Sequence, residues 1–183
     1  MNHPTPLIAL VVLAGLAVGG CTSTTPGAAG GTTRSAQVTS SASAADPLAR
    51  VDPCSLLGPV VISQNQLQPN KSGIGPGDRY CRWDTGSAVN GVGYNIAVNI
   101  YDQAGLDQLS TAGFIVTNYP VGHHPGRMSK DTAGGGCSVS IGITNTSRVD
   151  VVGIDYGGQQ DRACAVATTV APSVEKMLPS GNG

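Results

Sequence analysis

The stretch Cys137-Ser138-Val139-Ser140-Ile141-Gly142-Ile143-Thr144 decides the fold. Its apolar residues, Cys137, Val139, Ile141 and Ile143, stand at every second position, and Ser138, Ser140, Gly142 and Thr144 fill the gaps. A β-strand turns successive side chains to opposite faces, so this stretch reads as a strand with one covered face and one wet face. The polar segment Asn145 to Arg148 turns the chain into a partner strand from Val149 to Tyr156, which makes a hairpin. Upstream, residues 94–100 alternate equally well: Tyr94, Ile96, Val98 and Ile100 share one face, and Asn95, Ala97 and Asn99 the other. Tyr80 to Asp84 reads as a further strand that places Cys81 and Trp83 side by side, with Trp83 covering a disulfide in the core. Phe114 to Tyr119 is also strand-like.

Helical spacing appears at both ends of this sheet. Asp52-Pro53-Cys54 has the form of a helix start, with Asp52 as N-cap and Pro53 at the first helical position. Gly58-Pro59 interrupts it, and a second short helical stretch runs to about Leu67 before a Gly/Pro-punctuated loop from Asn70 to Asp78. A short helix is expected over Gln103 to Ser110. Near Asp161 a C-terminal helix begins, in which Ala163, Val166, Ala167, Val170, Val174, Met177 and Leu178 recur at helical spacing. Pro172 is expected to kink or restart it. The expected fold is α+β: a two-layer domain whose mostly antiparallel sheet is covered on one face by N- and C-terminal helices.

Four cysteines, Cys54, Cys81, Cys137 and Cys164, fall within this domain. An even number in an exported chain implies two disulfides, whereas structural zinc sites need close pairs that are missing here. Three connectivities are open to four cysteines. The favoured one is Cys54–Cys81 with Cys137–Cys164, because face parity buries Cys81 and Cys137 and each partner sits on a flanking helix able to reach over the sheet.

A fifth cysteine has a different meaning. Leu7 to Val18 is an unbroken apolar run of about a dozen residues, too short to span a bilayer and suited to the h-region of a secretory signal. Val18-Gly19-Gly20-Cys21 follows, a pattern that resembles the bacterial lipobox, in which the cysteine is acylated and becomes the mature N-terminus. Met1 to Pro6 carries no Lys or Arg, where signal n-regions are basic, which puts the start of translation in question. Thr22 to Arg50 is rich in Ser, Thr, Gly and Ala, buries little, and reads as a disordered tether with a reach of about 30 Å. The expected organisation is a signal peptide over residues 1–20, the lipidated Cys21 and tether over 21–50, and the folded extracytoplasmic domain over 51–183. The address is the cell membrane, through the lipid anchor.

Four further segments carry a resemblance. Residues 51–57 (VDPCSLL), 81–83 (CRW), 136–143 (GCSVSIGI) and 164–167 (CAVA) with the later Leu178-Pro179, in that order after a lipobox, resemble an actinobacterial group of cell-envelope lipoproteins, domain of unknown function 3558. The resemblance covers about Val51 to Leu178. Its motifs are mainly structural: four cysteines, the tryptophan and the helix ending in Leu-Pro. It implies an actinobacterial envelope protein and brings no catalytic residues with it.

Charge and motif content narrow the function. From Lys71 onward there are eight Lys and Arg, against ten Asp and Glu from Asp52 onward, and the basic residues form no run. Nucleic-acid binding, which needs clustered cations to neutralise phosphates, is argued against. Ser173-Val174-Glu175-Lys176 matches S-x-x-K, and Lys71-Ser72-Gly73 resembles K-[ST]-G, but their order is the reverse of that in penicillin-recognising enzymes. No G-x-S-x-G elbow occurs, and Gly134-Gly135-Gly136 lacks the Lys-Ser/Thr of a phosphate-binding loop. His123 and His124 are adjacent, so in extended chain they point apart and cannot chelate one metal together. Asp150, Asp155 and Glu175 form no evident acid/base pair. No cofactor or metal is expected. The chain therefore reads as a non-enzymatic binding module for an envelope protein, glycan or lipid, with Asn95, Asn99, His123, His124 and Arg127 as the candidate surface. The alternatives are a carrier of an apolar or lipid ligand and a hydrolase with an unrecognised site. Small residues at Ala97, Gly153, Ala163 and Ala167 leave room for a cavity or else allow close helix–sheet packing.

Overall fold

The computed structural model describes residues 46–73 and 79–180. Among them, strands β1 (Gln68–Gly73), β2 (Arg79–Ser87), β3 (Val92–Tyr101), β4 (Phe114–Asn118), β5 (Gly126–Asp131), β6 (Gly136–Thr144) and β7 (Ser147–Asp155) form one antiparallel sheet. The strand order is β1-β2-β3-β7-β6-β5-β4. The hairpin read from the alternation of residues 137–156 lies at its centre, with Asn145-Thr146 as a two-residue turn between Thr144 and Ser147.

Alternation and burial agree where the strand is central. Ile96, Val98, Ile100, Val139, Ile141, Val149 and Val151 are all fully buried. Cross-strand register lines up Cys81, Val98, Val151, Val139 and Met128 in one row, and Trp83, Ile96, Gly153 and Cys137 in the next. Against these rows packs the C-terminal helix α2 (Gln160–Glu175), which buries Ala163, Ala167, Val170, Ala171 and Val174. Gly153 marks the closest approach: a Cβ there would stand 2.4 Å from the Ala163 carbonyl oxygen. The small residues Gly153, Ala163 and Ala167 thus serve close packing rather than a cavity, and Ala97 lies on the opposite face of the sheet.

Both disulfides have the favoured pairing. Cys54 is bonded to Cys81 and Cys137 to Cys164, with Cα separations of 5.0 Å and 4.9 Å. The N-terminal elements are shorter than the helices expected there. Asp52 caps a 3₁₀ turn, Pro53–Leu56, by accepting the Cys54 N–H at 2.9 Å, and α1 is only Pro59–Gln64. Leu56 and Leu57 nevertheless join the main apolar cluster with Leu67 and Trp83.

Several expectations need correction. Residues 46–50 belong to the folded body and not to the tether, for Leu48 is fully buried. Asp46 accepts its N–H at 2.8 Å, while the Arg79 guanidinium donates to the carbonyls of Leu48 and Val51 and pairs with Asp102 at 2.7 Å. Part of the loop expected over Asn70 to Asp78 is the edge strand β1, where Pro69 is tolerated because an edge leaves one row of N–H groups unused. Residues 120–136, in which apolar alternation marks no strand, contain β5, and the helix expected over Gln103 to Ser110 shrinks to a 3₁₀ turn, Leu106–Gln108. Pro172 does not restart α2, which continues to Glu175, and Met177 lies beyond it, 55% exposed. The signal, Cys21 and most of the tether lie outside the described residues.

Candidate functional site

The site is built on residues 121–127, the segment that leads from β4 into β5. Val121 and His124 exchange backbone hydrogen bonds at 3.1 and 3.0 Å, so Gly122 and His123 form a two-residue turn. Gly122 has φ +57°, and a Cβ on it would meet the Glu175 carboxylate at 2.4 Å, so both its backbone and the space beside it require glycine. Glu175 ends α2 and faces this turn. Its Oε1 accepts the His123 backbone N–H at 3.2 Å and lies 3.0 Å from His124 Nδ1. The His124 ring and the Glu175 carboxylate are each about nine-tenths buried, with side-chain exposures of 9% and 11%. Hydrogen bonds from the His124 ring and the His123 backbone hold the Glu175 carboxyl below the usual carboxylate range, against a smaller opposing effect of burial.

Around this buried pair opens a cleft of about 1070 Å³ at one end of the sheet. Its walls come from the 122–127 segment, the end of α2 with Lys176 and Leu178, and the ends of β4 and β6 at Asn118 and Thr144. Leu106 and Pro125 sit over Gly142, where a Cβ would reach to 2.8 Å from the Leu106 side chain. Arg127 leans into the cleft and pairs with Asp107 at 3.0 Å. Asp107 is almost wholly solvated, 93% exposed, and such pairs contribute at most about 1 kcal/mol. Arg127 can therefore leave it for a bound group at little cost.

Of the five residues chosen as a surface, the cleft collects His123, His124 and Arg127. His123 is exposed, whereas His124 is a buried wall residue rather than open surface. Asn99 lies elsewhere, on the sheet face away from α2, in a separate recess. Asn95 is only 3% exposed and offers no surface, although its strand face is polar. Sequence reading missed Glu175, because 51 residues separate it from His124 and nothing local links them.

Asp155, left without a role by the sequence, positions the start of α2. Its Oδ1 accepts the N–H groups of Gly157 and Gln159, both at 2.9 Å, and its other oxygen takes the Arg162 guanidinium. Burial alone would raise its pKa, but the bonds from Gln159, Arg162 and Gly157 outweigh burial and lower it. Among the described residues, no three His, Cys, Asp or Glu side chains converge to hold a metal ion. No described helix is long and apolar enough to cross a membrane.

The lowered Glu175 carboxyl predicts a pH effect with a definite sign. A carboxyl whose folded pKa lies below its unfolded value of about 4.3 adds stability above that value and loses it as pH falls through the folded one. Thermal unfolding of the Glu175→Gln variant should therefore approach that of the wild-type protein as pH drops from about 5 to 3, the wild type losing more of its stability. Asp155 keeps part of the acid sensitivity in both proteins. Parallel melting curves over that range would remove Glu175 from the account.

A family model described as "Protein of unknown function (DUF3558)" matches residues 16–177. No curated protein and no solved structure matches the chain.

Proposed function

The chain belongs to the DUF3558 family, whose function is unknown, and on that premise we propose that it is a lipid-anchored, extracytoplasmic binding module of an actinobacterial envelope. Acylated Cys21 would hold it at the membrane surface, and the Ser/Thr-rich segment after it would let the folded body range over about 30 Å. The partner is an envelope protein, glycan or lipid. It is held and not turned over.

One observation carries the binding reading. The cleft at the sheet end presents His123, Arg127, Lys176 and Asn118 on a frame fixed by the His124–Glu175 contact, without drawing those four into the core. The geometry of His124 favours a positioning role, since its Nδ1 faces Glu175 and its ring is nearly buried. A wall fixed by a buried contact, with exposed polar groups at its rim, suits recognition.

The test has two parts. Cys21→Ala should abolish lipid labelling and release the chain from membranes; a variant that stays bound after high-salt and carbonate washing would refute the anchor. Photo-crosslinking residues placed at positions 123 and 127 in the native envelope should give one discrete adduct that position 89, on an exposed turn elsewhere, does not give. Turnover of a cell-wall or ester substrate, lost when one serine or histidine is changed, would replace binding by hydrolysis.

A further inference from the structure

The sheet face turned away from α2 is not flat. A recess of about 340 Å³ lies there, at the low end of the range in which small-molecule sites fall. Its floor is made by Asn99 of β3, Ser138 of β6 and Ser129 of β5, with Ser138 directly opposite Ser129 in the strand register. Leu109, Phe114 and Ile154 supply apolar sides, and Phe114 and Ile154 remain 42% and 41% exposed at its mouth.

Arg148 and Asp150 hold the wall of this recess in place. Arg148 donates through Nε to Asp150 at 3.0 Å and through Nη1 to the carbonyls of Ala104 and Gly105 at 2.8 and 3.1 Å. Its guanidinium also stacks 3.8 Å from the centre of the Tyr101 ring. The segment after β3 is thereby tied down across the sheet, so the recess is preformed. Because Asp150 balances Arg148, and Asp131 adds a further negative charge at the edge, an anion gains nothing here.

Ser129 supplies the second, independent sign of a ligand. Its residue is 5% exposed, and its hydroxyl has no hydrogen-bond partner among the described residues. A buried hydroxyl left unmet is costly, and because Ser129 lines the recess, one side-chain rotation turns its hydroxyl to whatever fills it. We propose that this recess binds a neutral, apolar molecule carrying a hydroxyl group, with that group hydrogen-bonded to Ser129 and its hydrocarbon lying along Leu109, Phe114 and Ile154. The site is separate from the cleft at the sheet end and does not depend on the reading given to that cleft.

The test uses membranes that carry the full-length chain. They are exposed to a dodecanol probe bearing a diazirine and a terminal alkyne, and in parallel to the matching dodecanoate. The dodecanol probe should label peptides within residues 99–138 saturably, with competition by excess dodecanol, and more strongly than the carboxylate. Ser129→Ala, which removes the hydroxyl and adds no bulk, should lower labelling at least tenfold. Phe114→Ala at the exposed mouth should lower it as well, and serves if the Ser129 variant fails to form its disulfides. His123→Ala should leave it unchanged, so that the cleft and the recess fail separately. Unsaturable labelling, equal labelling of Ser129→Ala or Phe114→Ala, preference for the carboxylate, or no labelling (a hydroxyl met by water alone) would each overturn the proposal.

Discussion

Replacing Arg148 by Met is expected to destabilise the folded domain by about 3–5 kcal/mol at neutral pH, the usual consequence of removing one partner from a buried ion pair. Arg148 is 6% exposed and so is Asp150, and the guanidinium Nε reaches both carboxylate oxygens, at 3.0 and 3.3 Å. Without it, the carboxylate would stay in a low-dielectric environment without the charge that balances it. The carbonyls of Ala104 and Gly105 would lose their donor as well. Burial already pushes the Asp150 carboxyl upward in spite of Arg148, and the variant would push it further. The sign with pH follows. A carboxyl whose folded pKa is raised favours the folded state only when protonated, so stability falls as pH rises from the unfolded value, about 3.9, through the folded one. Urea unfolding should therefore show a small deficit for the variant near pH 4 and a large one at pH 7. Arg148→Met with Asp150→Leu should recover much of the loss, since two apolar groups leave no charge uncompensated. A single variant within 1 kcal/mol of wild type at pH 7 would show that the pair carries none of this weight.

That pair also shows where sequence reading stopped. Arg148-Val149-Asp150 and Arg82-Trp83-Asp84 are both Arg-x-Asp on a strand, and the two-residue period puts each Arg beside its Asp on one face. The pattern stands in the chain, but apolar alternation alone does not reveal it. In the second case the cluster extends to Tyr156, whose hydroxyl bonds Asp84, so charge pairing recurs across the sheet face turned away from α2. The central strands were legible because a sheet with one buried face forces alternation. Strand β5, Gly126–Asp131, was not legible: Ser129 is its sole buried residue, so no apolar period marks it. It is held instead by the register of β6 on one side and β4 on the other. Asn95 misled for the converse reason, since face parity tells which side a residue takes and not how deeply its neighbours cover it. The long-range contact between His124 and Glu175 depends on where α2 ends over the sheet, which no local pattern encodes.

The disulfide pairing was legible from parity, and it leads to the second large effect. Each bridge spans 27 residues of sequence, so constraint of the unfolded chain assigns both the same stabilisation, about 3.5 kcal/mol. Any difference between them must then come from the folded state. Cys54 sits on a 3₁₀ turn that is secured in other ways, by Leu56 and Leu57 in the core and by the Arg79 bonds to the preceding segment. Cys164 sits on α2 beside Ala163, at the crossing where Gly153 lets the helix backbone touch the sheet. There the apolar support is thin: Cys137, Ala163 and Cys164 form a small cluster, with Met128 against it. The double variant Cys137→Ala/Cys164→Ala should therefore lose at least as much as Cys54→Ala/Cys81→Ala, about 3–5 kcal/mol against about 2–4. Its loss should be local as well as global. Amide exchange should quicken in the first turns of α2, residues 160–167, while the Val170 to Val174 turn stays protected by its contact with the sheet. In Cys54→Ala/Cys81→Ala, α2 should exchange at the rate set by global unfolding alone. Uniform quickening along α2 in the first variant would mean that the bridge acts only through the unfolded chain. A smaller loss there than on removing Cys54–Cys81 would contradict the weight given to the crossing at Gly153.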